Sequence, residues 1–254
     1  MGIMQTQVLY EDNDILVCYK PAGIATQTGG FAKMDVVSEL KNYLAKEGKK
    51  EPYLGLIQRL DQPVEGVLVF GKNPKATAML NLQIADKTMK KQYLAAVFLE
   101  DRSDSDNSFW KENELHPVGE QITLTDYLQK DSKTNLSKVV SANNKEAVKA
   151  AKKAELAYTI LKKEKIDQGY ILYVKVDLHT GRHHQIRVQF SHAGMPLLGD
   201  LKYGTSMSKQ VSQKLFVPDV ALCAQTIQFR HPSSKKPLTF TIKTQKTILQ
   251  NVTE

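Results

Sequence analysis

The apolar residues of this chain fall in short, strand-length runs that recur from one end to the other, and this pattern limits the fold more than any other feature. GVLVF (Gly66–Phe70), QYLAAVFL (Gln92–Leu99) and YILYVKVDL (Tyr170–Leu178) are rich in β-branched and aromatic residues, as buried strands are. AELAYTIL, ALCAQTIQF and LTFTIK also read as strands, and QVLYED and DILVCYK flank the turn formers Asp12 and Asn13, which predicts an opening hairpin. Helices are few. Val36, Val37, Leu40, Tyr43 and Leu44 share one helical face behind Asp35 as a cap. Asn73-Pro74 opens a second helix with Ala76, Leu80 and Ile84 inward, and HHQIRVQFSHAG reads as a third, closed by Gly194. Residues 101–145 are polar and weakly periodic, so loops and short strands are expected there. No linker divides the chain. The expected fold class is α+β, a single domain over residues 1–254 with a large sheet flanked by helices.

Composition narrows the function. Hydrophobic residues are 41% and charged residues 24%, which does not suit a disordered chain. No apolar run approaches the roughly 18–20 residues of a membrane helix, and no leader pattern is visible at the N-terminus. Cys18 and Cys223 are the only cysteines, too few for a disulfide framework or a cysteine-based zinc site, so a cytoplasmic setting is expected. The net charge is +8, and Lys130 to Lys165 holds ten lysines against Asp131, Glu146, Glu155 and Glu164. Such a stretch attracts polyanions through counterion release, and equally suits a solvated surface.

Three segments could carry chemistry: QRLDQPVEG (Gln58–Gly66), KKQYLAAV (Lys90–Val97) and LHTGRHHQIRVQFSHAGMPLLGDLKYG (Leu178–Gly204). Asp61 sits in a loop beside Arg59. It can cap a turn, or it can serve as an ionised nucleophile or base held near guanidinium groups. Arg187, beside Ile186, is either a surface residue or a buried partner for Asp61. Tyr93 is a core tyrosine, or a ring that stacks on a base. His179, His183, His184 and His192 cluster without metal-ligand spacing and without an acidic residue among them, so no metal site is expected.

Taken together, these segments resemble the RluA-type pseudouridine synthases. That family carries H-R-L-D-x-x-T-S-G, K-x-Y-x-A-x-V and T-G-R-x-H-Q-I-R-x-H…G-x-P-I-x-G-D-x-x-Y-G motifs; VLYEDNDILVCYKPAG also looks like its first strands and K-P-x-G loop. The likeness runs in order from about Val8 to Phe240. It implies a mixed, largely antiparallel central sheet, and isomerisation of a uridine in structured RNA, ribosomal or transfer, to pseudouridine. It implies no metal and no organic cofactor; no membrane and no obligate protein partner are expected either. Asp61 matches the catalytic aspartate, Tyr93 the tyrosine that stacks on the flipped uracil, and Arg187 the basic partner of the aspartate. Arg59, Arg182, Ile186 and Lys20 fall at RNA-binding positions. The family's frequent N-terminal RNA-binding domain is not expected here, because the catalytic pattern starts at about residue 6.

The chain departs from the family pattern at several places. Gln58 replaces His, Val64-Glu65 replaces Thr-Ser, Gln189 replaces His, and Tyr19 stands where Asn is common. Glu65 is expected to crowd Asp61 with a second carboxylate or to repel phosphate. The alternative reading is therefore a non-catalytic RNA-binding protein that keeps the synthase fold.

Overall fold

The structure, a computed structural model, describes residues 5–28, 34–46, 48, 51–101, 117–250 and 252. The chain forms two compact units, one of Met1–Gln92 and Cys223–Thr244, the other of Tyr93–Leu222 and Gln245–Glu254.

The first unit begins with the expected hairpin, β1 (Gln7–Glu11) against β2 (Ile15–Lys20). Asp12 makes the turn by accepting from the backbone N–H of Asp14 and Ile15, both at 2.8 Å. After α1 (Val36–Lys46) comes β3 (Gly55–Leu56), then β4 (Glu65–Gly71), which pairs antiparallel with β2 from Lys20↔Gly66 to Ile15↔Gly71. Every residue of β4 is buried, which is why GVLVF shows no polar alternation. Further on lie α2 (Pro74–Ala85), β10 (Leu222–Arg230) and β11 (Pro237–Thr241). β10 runs parallel to β4 through Cys223↔Glu65 and antiparallel to β11. Both helices start as the residues suggest. Asp35 accepts from Ser38 N–H at 2.7 Å, and Asn73 caps α2 by accepting from Ala76 N–H at 2.8 Å.

The second unit is a sheet in the order β5 (Lys90–Glu100), β9 (Gly169–Leu178), β8 (Lys152–Ile166), β6 (Gln121–Asp131), β7 (Leu136–Val140). β6, β7, β8 and β9 pair antiparallel. The long strand β6 corrects the expectation of loops and short strands across 101–145. Its Ile122, Leu124 and Leu128 alternate, but the strand is half exposed and carries polar residues between them. Helix α3 (Lys145–Lys149) follows β7. Helix α4 (Gln185–His192) is shorter than expected because His184 turns left-handed, at φ 52°. It packs on the sheet through Phe190, whose ring lies 5.1 Å from Tyr158, and through Val188, which joins Leu128 and Ala154. Helices α5 (Ser206–Lys214) and α6 (Thr247–Gln250) complete the unit.

The fold class is α+β with mixed strand pairing, as expected. No helix among the described residues is long and apolar enough to cross a membrane.

Candidate active site

In the first unit, the segment carrying Asp61 is tied down by backbone and by one buried cation. The Val64 N–H donates to the Asp61 carbonyl at 3.0 Å and closes a turn. Thr26 holds Leu60 from both sides: its hydroxyl donates to the Leu60 carbonyl at 2.9 Å and accepts from the Leu60 N–H at 3.0 Å. Gly23 N–H meets the Gln62 carbonyl at 2.8 Å. Lys20 is fully buried, and its Nζ donates to the carbonyls of Val64 at 2.6 Å, Pro21 at 3.0 Å and Gln62 at 3.2 Å. A buried ammonium needs such partners to offset its lost hydration. Lys20 therefore faces the loop interior, whereas the sequence reading set it at an RNA-binding position. Asp61 itself is half-buried and Arg59 is exposed.

The turn leads directly into β4, where Gly66 has φ 153°, and a Cβ there would fall 2.4 Å from the Ala224 Cβ. Only glycine fits that close parallel contact. The preceding Glu65 is also enclosed. It accepts from the Tyr19 hydroxyl at 2.8 Å and from the Thr244 hydroxyl. Burial, followed by the hydrogen bond and charge of Glu65, pushes the Tyr19 hydroxyl above its ordinary pKa. Glu65 is only 1% exposed, so it presents no carboxylate to a phosphate. That corrects the expected repulsion.

In the second unit, Tyr93 lies on β5 and is 7% exposed. Arg187 is buried on α4. Its Nε and Nη2 donate to Asp200 Oδ2 and Oδ1, each at 2.7 Å. A two-pronged pair of this kind fixes both position and plane of the guanidinium. The Tyr203 ring lies 5.2 Å from the Arg187 guanidinium carbon, as a cation–π neighbour. Tyr203 hydroxyl accepts from the Ser137 N–H at 2.9 Å and lies 2.7 Å from His184 Nδ1. Ile186 is buried, and Arg182 is half-buried with its Nε on the Lys153 carbonyl at 2.9 Å.

The other substituted position is absorbed in the same way. Gln189 is fully buried, accepts from Gln185 at 2.9 Å and donates to Asp126 at 2.8 Å. Gln58 is different: its Oε1 is enclosed without a hydrogen-bond partner among the described residues. The histidines take separate partners: His179 lies near Glu155, His183 near Ser137 and His192 near Asp126. Among the described residues, no group of three or more His, Cys, Asp or Glu could hold a metal ion.

The reading from residues missed Asp200 and Tyr203. Both lie in the GDLKYG end of the third segment, and only folding brings them to Arg187.

A family model described as RNA pseudouridylate synthase matches residues 14–192. The chain belongs to that family. A ribosomal large subunit pseudouridine synthase C of Buchnera aphidicola is 32% identical over 232 residues, covering 91% of this chain and 65% of the relative. Its namesake in Haemophilus influenzae is 30% identical over 261 residues, covering 100% of this chain and 71% of the relative. The chain thus spans about two thirds of the length of these curated relatives. Among solved structures, human RNA pseudouridylate synthase domain containing 4 aligns with a TM-score of 0.69 at 20% identity, covering 96% of this chain and 90% of the other. Human RNA pseudouridylate synthase domain containing 1 also gives 0.69, at 16% identity, with 96% and 85% covered. These two likenesses place the fold among the pseudouridine synthases.

Proposed function

We propose that this chain isomerises a uridine in ribosomal RNA to pseudouridine, with Asp61 as nucleophile, Tyr93 as the residue that stacks on the base, and Arg187 as the basic partner of the aspartate. The observation that carries the proposal is the family match over residues 14–192, which contains all three positions. The names of the bacterial relatives favour large-subunit ribosomal RNA over transfer RNA as substrate.

The chemistry asks for these residue types. A glycosidic bond within stacked RNA is inaccessible, so the uridine must flip out, at a cost of about a few kcal/mol. Stacking on an aromatic ring returns roughly 1–3 kcal/mol per base. The C1′–N1 bond then breaks and a C1′–C5 bond forms; C5 loses a proton and N1 gains one. An ionised carboxylate starts this sequence by attacking the nucleoside. The turn around Asp61, braced by Lys20 and Thr26, supports the reading because a nucleophile must be held in place before substrate arrives.

The test is tritium release from ribosomal RNA transcripts labelled at uracil C5, with purified protein. Release above the level of a protein-free control is the expected result. Absence of release from every RNA, with RNA binding intact, would support the non-catalytic reading.

A further inference from the structure

The end of α5 carries a feature that the proposed reaction does not use. Leu215 caps the helix, and Phe216 follows in the left-handed region at φ 53°. Phe216 N–H donates to the Gln213 carbonyl at 3.1 Å, and Val217 N–H to the Ser212 carbonyl at 2.9 Å, the paired bonds of a Schellman helix end. Helix α4 ends in the same way, with Gly194 N–H on Ser191 and Met195 N–H on Phe190, and there the left-handed residue is glycine. A Cβ at that position crowds the following carbonyl, so a bulky residue is disfavoured. Phe216 occupies it while remaining 91% exposed, so packing within the fold does not offset the strain.

Beside the ring lies a cavity of about 400 Å³, within the size range of small-ligand sites. Leu201, Phe216, Val217 and Pro218 supply its apolar walls, and Lys209 joins them. Gly199 also lines it, with φ 72°, and a Cβ there would lie 2.1 Å from the Asp219 carbonyl oxygen. Leu201 is 71% exposed. From Leu201 to Pro218 the chain contains Lys202, Lys209 and Lys214 and no Asp or Glu. An exposed ring beside this run of lysines suits single-stranded nucleic acid, where bases stack and phosphates neutralise charge.

We propose that Phe216 and this cavity form a second RNA-binding site, in which an unpaired base stacks on the Phe216 ring and the lysines attract the flanking phosphates. The proposal rests on the reading of RNA as the partner, but not on catalysis. Gly199 and Leu201 flank Asp200, whose carboxylate holds Arg187, so a base seated there bears on the segment that orients the arginine.

The test compares binding of a short single-stranded oligouridylate and of a fully paired RNA duplex. Phe216→Gly removes the ring and relieves the left-handed strain, so it folds at least as stably as the wild type. It is expected to weaken the single strand by about fivefold or more, the scale of one lost stacking contact, and to leave the duplex unchanged. Phe216→Tyr should bind like wild type, and Phe216→Leu like Phe216→Gly. Asp61→Ala should lose turnover and keep the single-strand affinity, which separates this site from the catalytic reading. Equal affinity of wild type and Phe216→Gly for the oligouridylate overturns the proposal. So does self-association that depends on Phe216 while RNA binding does not.

Discussion

The Tyr19 hydroxyl donates to Glu65 Oε2 at 2.8 Å, so two positions at which this chain departs from the family pattern are bonded to each other. A tyrosine hydroxyl stands where the family pattern commonly has an amide, and the Glu65 carboxylate accepts from it. Thr244 supplies the second hydroxyl to the same carboxylate. Removing the Tyr19 hydroxyl takes one of two donors from a buried carboxylate and leaves it that of Thr244. Tyr19→Phe is expected to cost about 1.5–3 kcal/mol, the range for hydrogen bonds to charged groups. Tyr19→Phe with Glu65→Gln should cost less than the sum of the singles, with a coupling of roughly 0.5–3 kcal/mol. Urea unfolding of the four proteins measures it, and strict additivity would show that the pair is not coupled.

Lys20 gives a second prediction. Lys20→Met takes the ammonium from the Val64 carbonyl and leaves the Gln62 carbonyl with the Gly23 N–H, at a cost of about 1–3 kcal/mol of stability. Because the ammonium is buried, kcat should fall while RNA affinity and its salt slope stay within a few-fold. An effect confined to affinity, with a shallower salt dependence, would instead place Lys20 against phosphate.

The Arg187–Asp200 pair gives a third. Breaking a buried ion pair from one side costs about 3–5 kcal/mol, so Asp200→Asn should lower both Tm and turnover. Arg187→Lys keeps the charge but loses the planar fork. Its turnover is expected to drop about tenfold or more, the equivalent of one lost charged hydrogen bond. Near-normal turnover in Arg187→Lys would remove any need for the fork.

Asp35 sets a pH dependence. Burial would raise its carboxyl, but hydrogen bonds from Ser38 and Thr28 outweigh that and hold the pKa below the usual carboxylate value. A depressed folded pKa stabilises the protein fully above the unfolded value of about 3.9. That contribution is lost as pH falls through the lower folded value. Asp35→Ala should therefore cost about 0.5–2 kcal/mol near neutrality, and the gap from wild type should close below about pH 4. A gap that stays constant into acid would mean that the charge on Asp35 contributes nothing.

Several of these features were legible in the residues alone. The Asp12 turn, the caps at Asp35 and Asn73 and the buried β4 run each follow from local chemistry that tertiary contacts reinforce. Strand β6 was hidden because one half-exposed face dilutes its alternation. Helix α5 was hidden because it has little apolar face and relies on the Thr205 cap, which accepts from Ser208 N–H at 3.1 Å, and on buried Val211. The candidate site residues were found through motif resemblance. Their supports were not, because Asp200 lies outside the helix of Arg187, and the inward turn of Lys20 depends on a loop some forty residues away. The enclosure of Glu65 was not legible either, because its partners Tyr19 and Thr244 come from two other segments.

The most direct measurement is carbodiimide-primed mapping of pseudouridine on unmodified ribosomal and transfer RNA incubated with the protein and with Asp61→Ala. The expected result is a new reverse-transcription stop in ribosomal RNA with the wild type that vanishes with the variant. A stop that persists in Asp61→Ala would contradict Asp61 as nucleophile, and the lack of any stop while RNA binding is retained would contradict the proposed activity.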